Sequence, residues 1–218
     1  MKKIVVANLK SSLSDSTAEN YVSTINKHKY TNLILCPSYK YLHMFKSDNY
    51  LLGMQDIDDD INNLKGTIDY VMLGHYEKRI KGETNKNINK KIDLCLKNNL
   101  KVILCIGNNE NEDFDYIKRQ LDECLCKVDS KCFKDILIAY EPFYMIGKSK
   151  DIDINLIKGY INSIKTHISN KYHSKISVLY GGNVNESNIN DLLDISDGVL
   201  VGRLSFDVNN FTQILQKV

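Results

Sequence analysis

Ile136-Leu-Ile-Ala-Tyr-Glu-Pro-Phe-Tyr-Met-Ile-Gly-Lys-Ser-Lys150 decides how the rest of the chain is read. It opens on an apolar run of strand length. A carboxylate, Glu141, closes that run and Pro142 follows at once. Proline has no N–H to give a ladder, so a central strand stops here and leaves Glu141 at its C-terminal lip. Gly147-Lys-Ser-Lys150 then supplies a flexible, basic stretch. Two readings fit this segment alone. One is a strand, a polar loop and a surface carboxylate. The other is a general base at a strand end with a hinged lid, Phe143 to Lys150, behind it.

Outward from this stretch the same alternation repeats. Downstream, Ile154, Ile157, Ile161, Ile164 and Ile168 mark a helix. Lys175–Leu179 reads as a strand, Ser187–Leu193 as a short helix, Gly198–Val201 as a strand and Val208–Gln216 as a closing helix. Upstream, strands are expected at Lys3–Ala7, Asn32–Cys36, Tyr50–Met54, Tyr70–Leu73 and Leu100–Ile106. Between them, Ser16-x-x-Glu19 reads as a capping box for the first helix. Tyr39–Phe45 reads as a short helix, Ile61–Lys65 as the little room left for a third, and Thr84–Asn98 as a longer one. Phe114, Ile117, Leu121 and Leu125 recur at helical spacing. Eight strand–helix units at roughly 27 residues each predict a parallel (β/α)8 barrel occupying 1–218 as one domain. A doubly wound open sheet is the alternative, weakened because no Gly-rich dinucleotide fingerprint follows the first strand.

Composition narrows the function classes. A net charge of +2 across 218 residues gives no steering toward nucleic acid or a membrane surface. No stretch approaches the ~18 apolar residues of a membrane span. The apolar run after Met1-Lys2-Lys3 is too short for a signal peptide, so a cytoplasmic location is expected. The six cysteines form no CxxC and read as reduced, buried or incidental rather than as a disulfide or metal framework. No metal and no organic cofactor is expected.

In a barrel of this kind chemistry sits at the C-terminal strand ends. Those positions hold Asn8-Leu9-Lys10, Gly74-His75-Tyr76-Glu77, Glu141-Pro142, Gly181-Gly182-Asn183 and Gly202-Arg203. Singly, each has an ordinary structural reading. Together they put a cation, an imidazole, a carboxylate and two Gly-rich loops on one rim, a grouping that chance explains poorly.

These pieces resemble the triosephosphate isomerase family. Asn8-x-Lys10, Leu73-Gly-His-Tyr-Glu-Lys-Arg79, Leu104-Cys-Ile-Gly107, Ala139-Tyr-Glu-Pro142 with Ile146-Gly147, Tyr180-Gly-Gly182 and Asp197-Gly-Val-Leu-Val-Gly202 run in the family's order. The resemblance implies isomerisation of a phosphorylated ketose to its aldose. It implies Glu141 as base, His75 as a neutral donor to the enediolate oxygens, Lys10 as fixed positive charge and Asn8 bonding the same oxygens. Glu77 would orient Lys10. Gly147, Asn183, Gly202 and Arg203 would bind the phosphate, with Gly181 and Gly182 in support. A homodimer is the family's usual assembly.

The departures from the family pattern are local. Tyr76 stands where Ser is usual, Asn183 where Ser is usual, and Arg203 replaces a glycine. The lid reads Gly147-Lys-Ser-Lys150. The loop from Gln55 to Lys65 is short and carries Asp56, Asp58, Asp59 and Asp60, without the family's long finger into a neighbouring subunit. It is expected to stay solvated or to meet basic residues of a partner. Two further readings therefore accompany the first: an isomerase of another sugar phosphate such as a tetrulose phosphate, and a non-catalytic phosphate-ligand binder.

Overall fold

The computed structural model describes residues 2–57, 61, 64–147 and 152–218. Eight strands close a parallel barrel in sequence order: β1 (Ile4–Lys10), β2 (Leu33–Pro37), β3 (Leu51–Gln55), β4 (Tyr70–Leu73), β5 (Lys101–Ile106), β6 (Ile136–Tyr140), β7 (Ser177–Tyr180) and β8 (Gly198–Val201). Helices α1 (Asp15–Ile25), α2 (Tyr76–Arg79), α3 (Asn85–Lys97), α4 (Phe114–Cys124), α5 (Ile154–Tyr172), α6 (Ile189–Ile195) and α7 (Val208–Leu215) lie between them. Among the described residues no helix is long and apolar enough to cross a membrane.

Strand residues alternate between two layers, as the period of two demands. Val6, Ile34, Cys36, Tyr70, Met72, Ile103, Cys105, Leu137, Ala139, Leu179 and Leu200 fill the barrel interior. Their neighbours Val5, Val71, Val102, Ile138, Val178 and Val199 join the outer core with the helices. α5 seats Ile157, Ile161, Ile164 and Ile168 there, the stripe expected from its sequence. The alternation also aims the rim. Glu141 is two residues beyond Ala139, Gly181 two beyond Leu179 and Gly202 two beyond Leu200, so each continues the inward face. Four of the six free cysteines are buried, and burial pushes the Cys36 and Cys95 thiols up to about 12, which makes them poor nucleophiles.

Several boundaries differ from expectation for identifiable reasons. β1 runs on to Lys10 because its pairing with β2 continues through an irregularity between Asn8 and Lys10. α1 is capped by Ser14, whose side chain accepts from the Thr17 N–H while Thr17 returns the bond, so the box lies earlier than Ser16-x-x-Glu19. Tyr39–Tyr41 is a single 3-10 turn, not a helix to Phe45. α6 starts later than Ser187 because the Asn185 side chain accepts from the N–H groups of Ser187 and Asn188, closing a turn that delays the helix. Of the helix expected at Ile61–Lys65, residues 62–63 lie outside the described residues, and Leu64 begins a turn. α2, one turn long, has no periodicity to betray it.

Candidate active site

The C-terminal ends of β1, β4, β6, β7 and β8 surround a cavity of about 610 Å³. Lys10, His75, Glu77 and Glu141 line it, together with Gly147, Gly181, Gly182, Asn183, Gly202 and Arg203. Every residue to which the family resemblance gives a role, except Asn8, thus borders one space. Asn8 is fully buried and faces the imidazole, its Nδ2 3.3 Å from His75 Nε2.

Lys10 ends β1 with φ 51, a left-handed conformation that costs a lysine about 1 kcal/mol or more. Its ammonium meets Glu77 Oε1 at 2.8 Å with 23% of the side chain exposed. Burial opposes ionisation of Glu77, but the hydrogen bond and charge of Lys10 outweigh it and hold the carboxyl below its ordinary range. A fixed cation therefore faces the cavity.

His75 follows Gly74, whose φ of 71 bends the chain out of β4. A Cβ at Gly74 would lie 2.9 Å from Arg79 Nη2 and from the Cys105 carbonyl. Arg79 uses that space, donating to the carbonyls of Gly74 and Cys105 and to Asn85 Oδ1, at 2.7, 2.9 and 2.7 Å. This pins α2 to β4, β5 and α3. His75 caps α2, and its Nδ1 accepts from the backbone N–H of Glu77 at 3.4 Å. A ring nitrogen that accepts carries no proton, so the hydrogen belongs on Nε2. Gln55 Nε2 lies 3.0 Å from the same Nδ1. Asn8 Oδ1 is buried without a partner among the described residues. Turning the Asn8 amide half over would let that oxygen accept from Nε2–H.

Glu141 is 1% exposed. Its backbone N–H bonds the Ile106 carbonyl at 2.7 Å, which extends the ladder one residue past β6 before Pro142 ends it. The carboxylate accepts from the Tyr76 N–H at 3.3 Å, and its other oxygen is 3.4 Å from His75 Nε2. Burial pushes its carboxyl above the ordinary value, against the pull of His75, the Tyr76 N–H, Arg79 and Lys10. Gly181 makes the room, because a Cβ there would stand 2.8 Å from Glu141 Cγ. Tyr76 does not crowd this space: its ring lies 5.3 Å from that of Phe143, and it is absent from the described residues lining the cavity.

Beyond Pro142, Phe143–Met145 forms a 3-10 turn and Gly147 takes φ 75. Lys148–Lys150, the tip of the expected lid, lie outside the described residues, as do Asp58–Asp60 of the acidic loop. Asp56 is neither solvated nor left for a partner to neutralise. It is 7% exposed and bonded to Lys78 at 2.6 Å and Lys91 at 2.5 Å. Two residues of consequence escaped the sequence reading, Gln55 and Arg79. For Gln55 a signal existed: it lies two positions past Gly53, where a Cβ would meet Cys36 and Ile34 of the interior, so strand parity turns Gln55 inward as well.

This constellation has known counterparts. A family profile described as Triosephosphate isomerase matches residues 3–218. The triosephosphate isomerase of Mycoplasma genitalium is 31% identical over 236 aligned positions, covering 97% of this chain and 97% of the relative. That of Buchnera aphidicola subsp. Baizongia pistaciae is 33% identical over 247, covering 98% of each. That of Mycoplasma pneumoniae is 34% identical over 187, covering 78% of this chain and 77% of the relative. With a closed eight-stranded parallel barrel, a buried carboxylate beside an imidazole and a profile match across nearly its whole length, the chain belongs to the triosephosphate isomerase family.

Proposed function

We propose that this chain interconverts dihydroxyacetone phosphate and glyceraldehyde 3-phosphate through an enediolate, as a glycolytic and gluconeogenic isomerase. The observation that carries this reading is one buried carboxylate, Glu141, within 3.4 Å of His75 Nε2 on a cavity that also holds the Lys10–Glu77 pair.

Each role follows from chemistry. Glu141 takes a proton from one substrate carbon and returns it to the neighbouring one, a task for a base in reach of both. Burial makes its conjugate acid weaker, so the carboxylate is the stronger base. As the proton leaves, charge moves onto the substrate oxygens. His75, with hydrogen on Nε2, donates to them, and a well-placed donor contributes about 3–4 kcal/mol at the transition state. Lys10 adds a full positive charge held in place by Glu77. Asn8, fully buried behind the imidazole and off the cavity wall, steadies the ring rather than bonding the substrate oxygens. Gly147, Asn183, Gly202 and Arg203 receive the phosphate, and Gly181 and Gly182 let it approach closely. Arg203 is exposed at the rim and adds charge there.

The protein acts in the cytoplasm as a homodimer whose loop after β3 is shortened. Asp56 is already neutralised within the chain, so this loop brings little unpaired charge from that position to a partner. A coupled assay tests the substrate. Turnover of glyceraldehyde 3-phosphate well above that of erythrulose phosphates is expected, and the reverse order would overturn the reading.

A further inference from the structure

Gln55 ends β3 and points along the inward face, while Asp56 follows with φ 67. The Asp56 N–H donates to the Met72 carbonyl at 2.9 Å, so the ladder fixes this bend. The Asp56 carboxylate then clasps two elements. Lys78 stands on α2 beside Glu77, and Lys91 stands on α3, where it also meets Glu83 at 2.7 Å. The Asp56 carboxylate is buried while the two ammonium groups keep some contact with solvent, so removing both lysine partners would strand a buried charge. The end of β3 is thereby locked to the one-turn helix that His75 caps. Gln55 sits at the locked point, its Nε2 3.0 Å from His75 Nδ1.

Glu141 approaches His75 Nε2 from β6, and Asn8 from β1. Glu77 Oε2 is 4.0 Å from Nδ1 but its other oxygen is committed to Lys10. Arg79 is turned toward Gly74 and Cys105. The Glu77 N–H cannot rotate away, and it makes Nδ1 an acceptor. Gln55 meets that acceptor with its own NH2 at the shorter distance.

We infer that Gln55 is a positioning residue for the isomerisation: its side-chain amide donates to Nδ1, keeps His75 neutral with hydrogen on Nε2, and aims that hydrogen at the cavity. The inference rests on His75 being the donor to the substrate oxygens.

Three variants test it, each checked for folding by circular dichroism, with 15N NMR of labelled histidines alongside kinetics. Gln55→Leu removes the donor, and kcat should fall about ten- to hundred-fold with KM held within about twofold. Gln55→Glu puts an acceptor against Nδ1. Its His75 should show hydrogen on Nδ1 near neutral pH, and the acid limb of kcat should move up by about one pH unit or more. Parent-like nitrogen signals and a parent-like pH profile in Gln55→Glu would overturn the inference. So would parent-like kcat in Gln55→Leu. If Gln55→Glu does not fold, Gln55→Leu decides through the kcat-against-KM split, because the Glu77 N–H still holds Nδ1 as an acceptor in that variant: a fall in kcat at parental KM would support the inference, and a parent-like kcat would overturn it. His75→Asn separates the two levels. A parent-like rate there would remove the donor role of His75, while the nitrogen signals would still judge Gln55.

Discussion

Glu141 sits where two demands conflict. In its proposed role as base it must be ionised, yet it is 1% exposed, and burial raises its pKa above the ordinary value. The carboxyl therefore binds its proton more tightly in the folded chain than in the unfolded one. Folding stability accordingly falls as pH rises from the ordinary carboxyl range through the raised folded value, and the loss persists above it. Activity runs the other way, so the acid limb of kcat/KM should lie above the ordinary carboxyl value of 4.5. Glu141→Gln removes the buried charge, and it should melt at a higher temperature than the parent at pH 8 while losing activity. A lower Tm would contradict the burial cost. Glu141→Asp keeps the charge but withdraws it by about an ångström, and kcat should drop on the order of 100-fold with little change in KM. Gly181→Ala would push a methyl to within 2.8 Å of Glu141 Cγ. A loss in kcat larger than any change in KM is expected there too, checked by steady-state kinetics.

At the scale of elements, the caps and strand ends carry the specific information. Ser14 and Thr17 close the start of α1 reciprocally. Ser14→Ala should cost about 1 kcal/mol, or roughly 2–4 °C in Tm, read by thermal melting at constant pH. Much of this level was legible in advance. Apolar strands that stop at Glu141-Pro142 or at paired glycines announce themselves, because a buried parallel strand needs an unbroken apolar run. The long helices did too, through stripes such as Ile157, Ile161, Ile164 and Ile168. What stayed hidden depends on contacts distant in sequence. α2 exists because Arg79 reaches back to Gly74 and across to Cys105, not because four residues favour a helix. Asp56 looked like part of an acidic loop, because its partners Lys78 and Lys91 stand more than twenty residues away. The residues that border the cavity were legible for another reason: the barrel's polarity points to the C-terminal strand ends, and the motifs there resemble those of the family.

At the scale of the whole molecule, the proposed lid would exclude water on closing, and desolvation strengthens every charge interaction in the cavity. Gly147, with φ 75 and on the cavity wall, suits a hinge. Saturation with a phosphate-bearing inhibitor such as phosphoglycolate should slow amide exchange at Met145 to Gly147, and unchanged exchange would count against a lid. A dimer whose loop after β3 is short and whose Asp56 is satisfied internally should be weaker than is usual in the family. Analytical ultracentrifugation over a dilution series should show dissociation, whereas a mass unchanged at nanomolar protein would contradict it. The central claim is that Glu141 moves a proton between adjacent carbons, and deuterium reports that step directly. Dihydroxyacetone phosphate incubated in D2O with the parent should take up deuterium at the carbon where Glu141 acts, followed by proton NMR. With Glu141→Gln the uptake should slow by about 10²–10⁴-fold, the range a general base contributes. Uptake by Glu141→Gln at the parental rate would show that another group is the base.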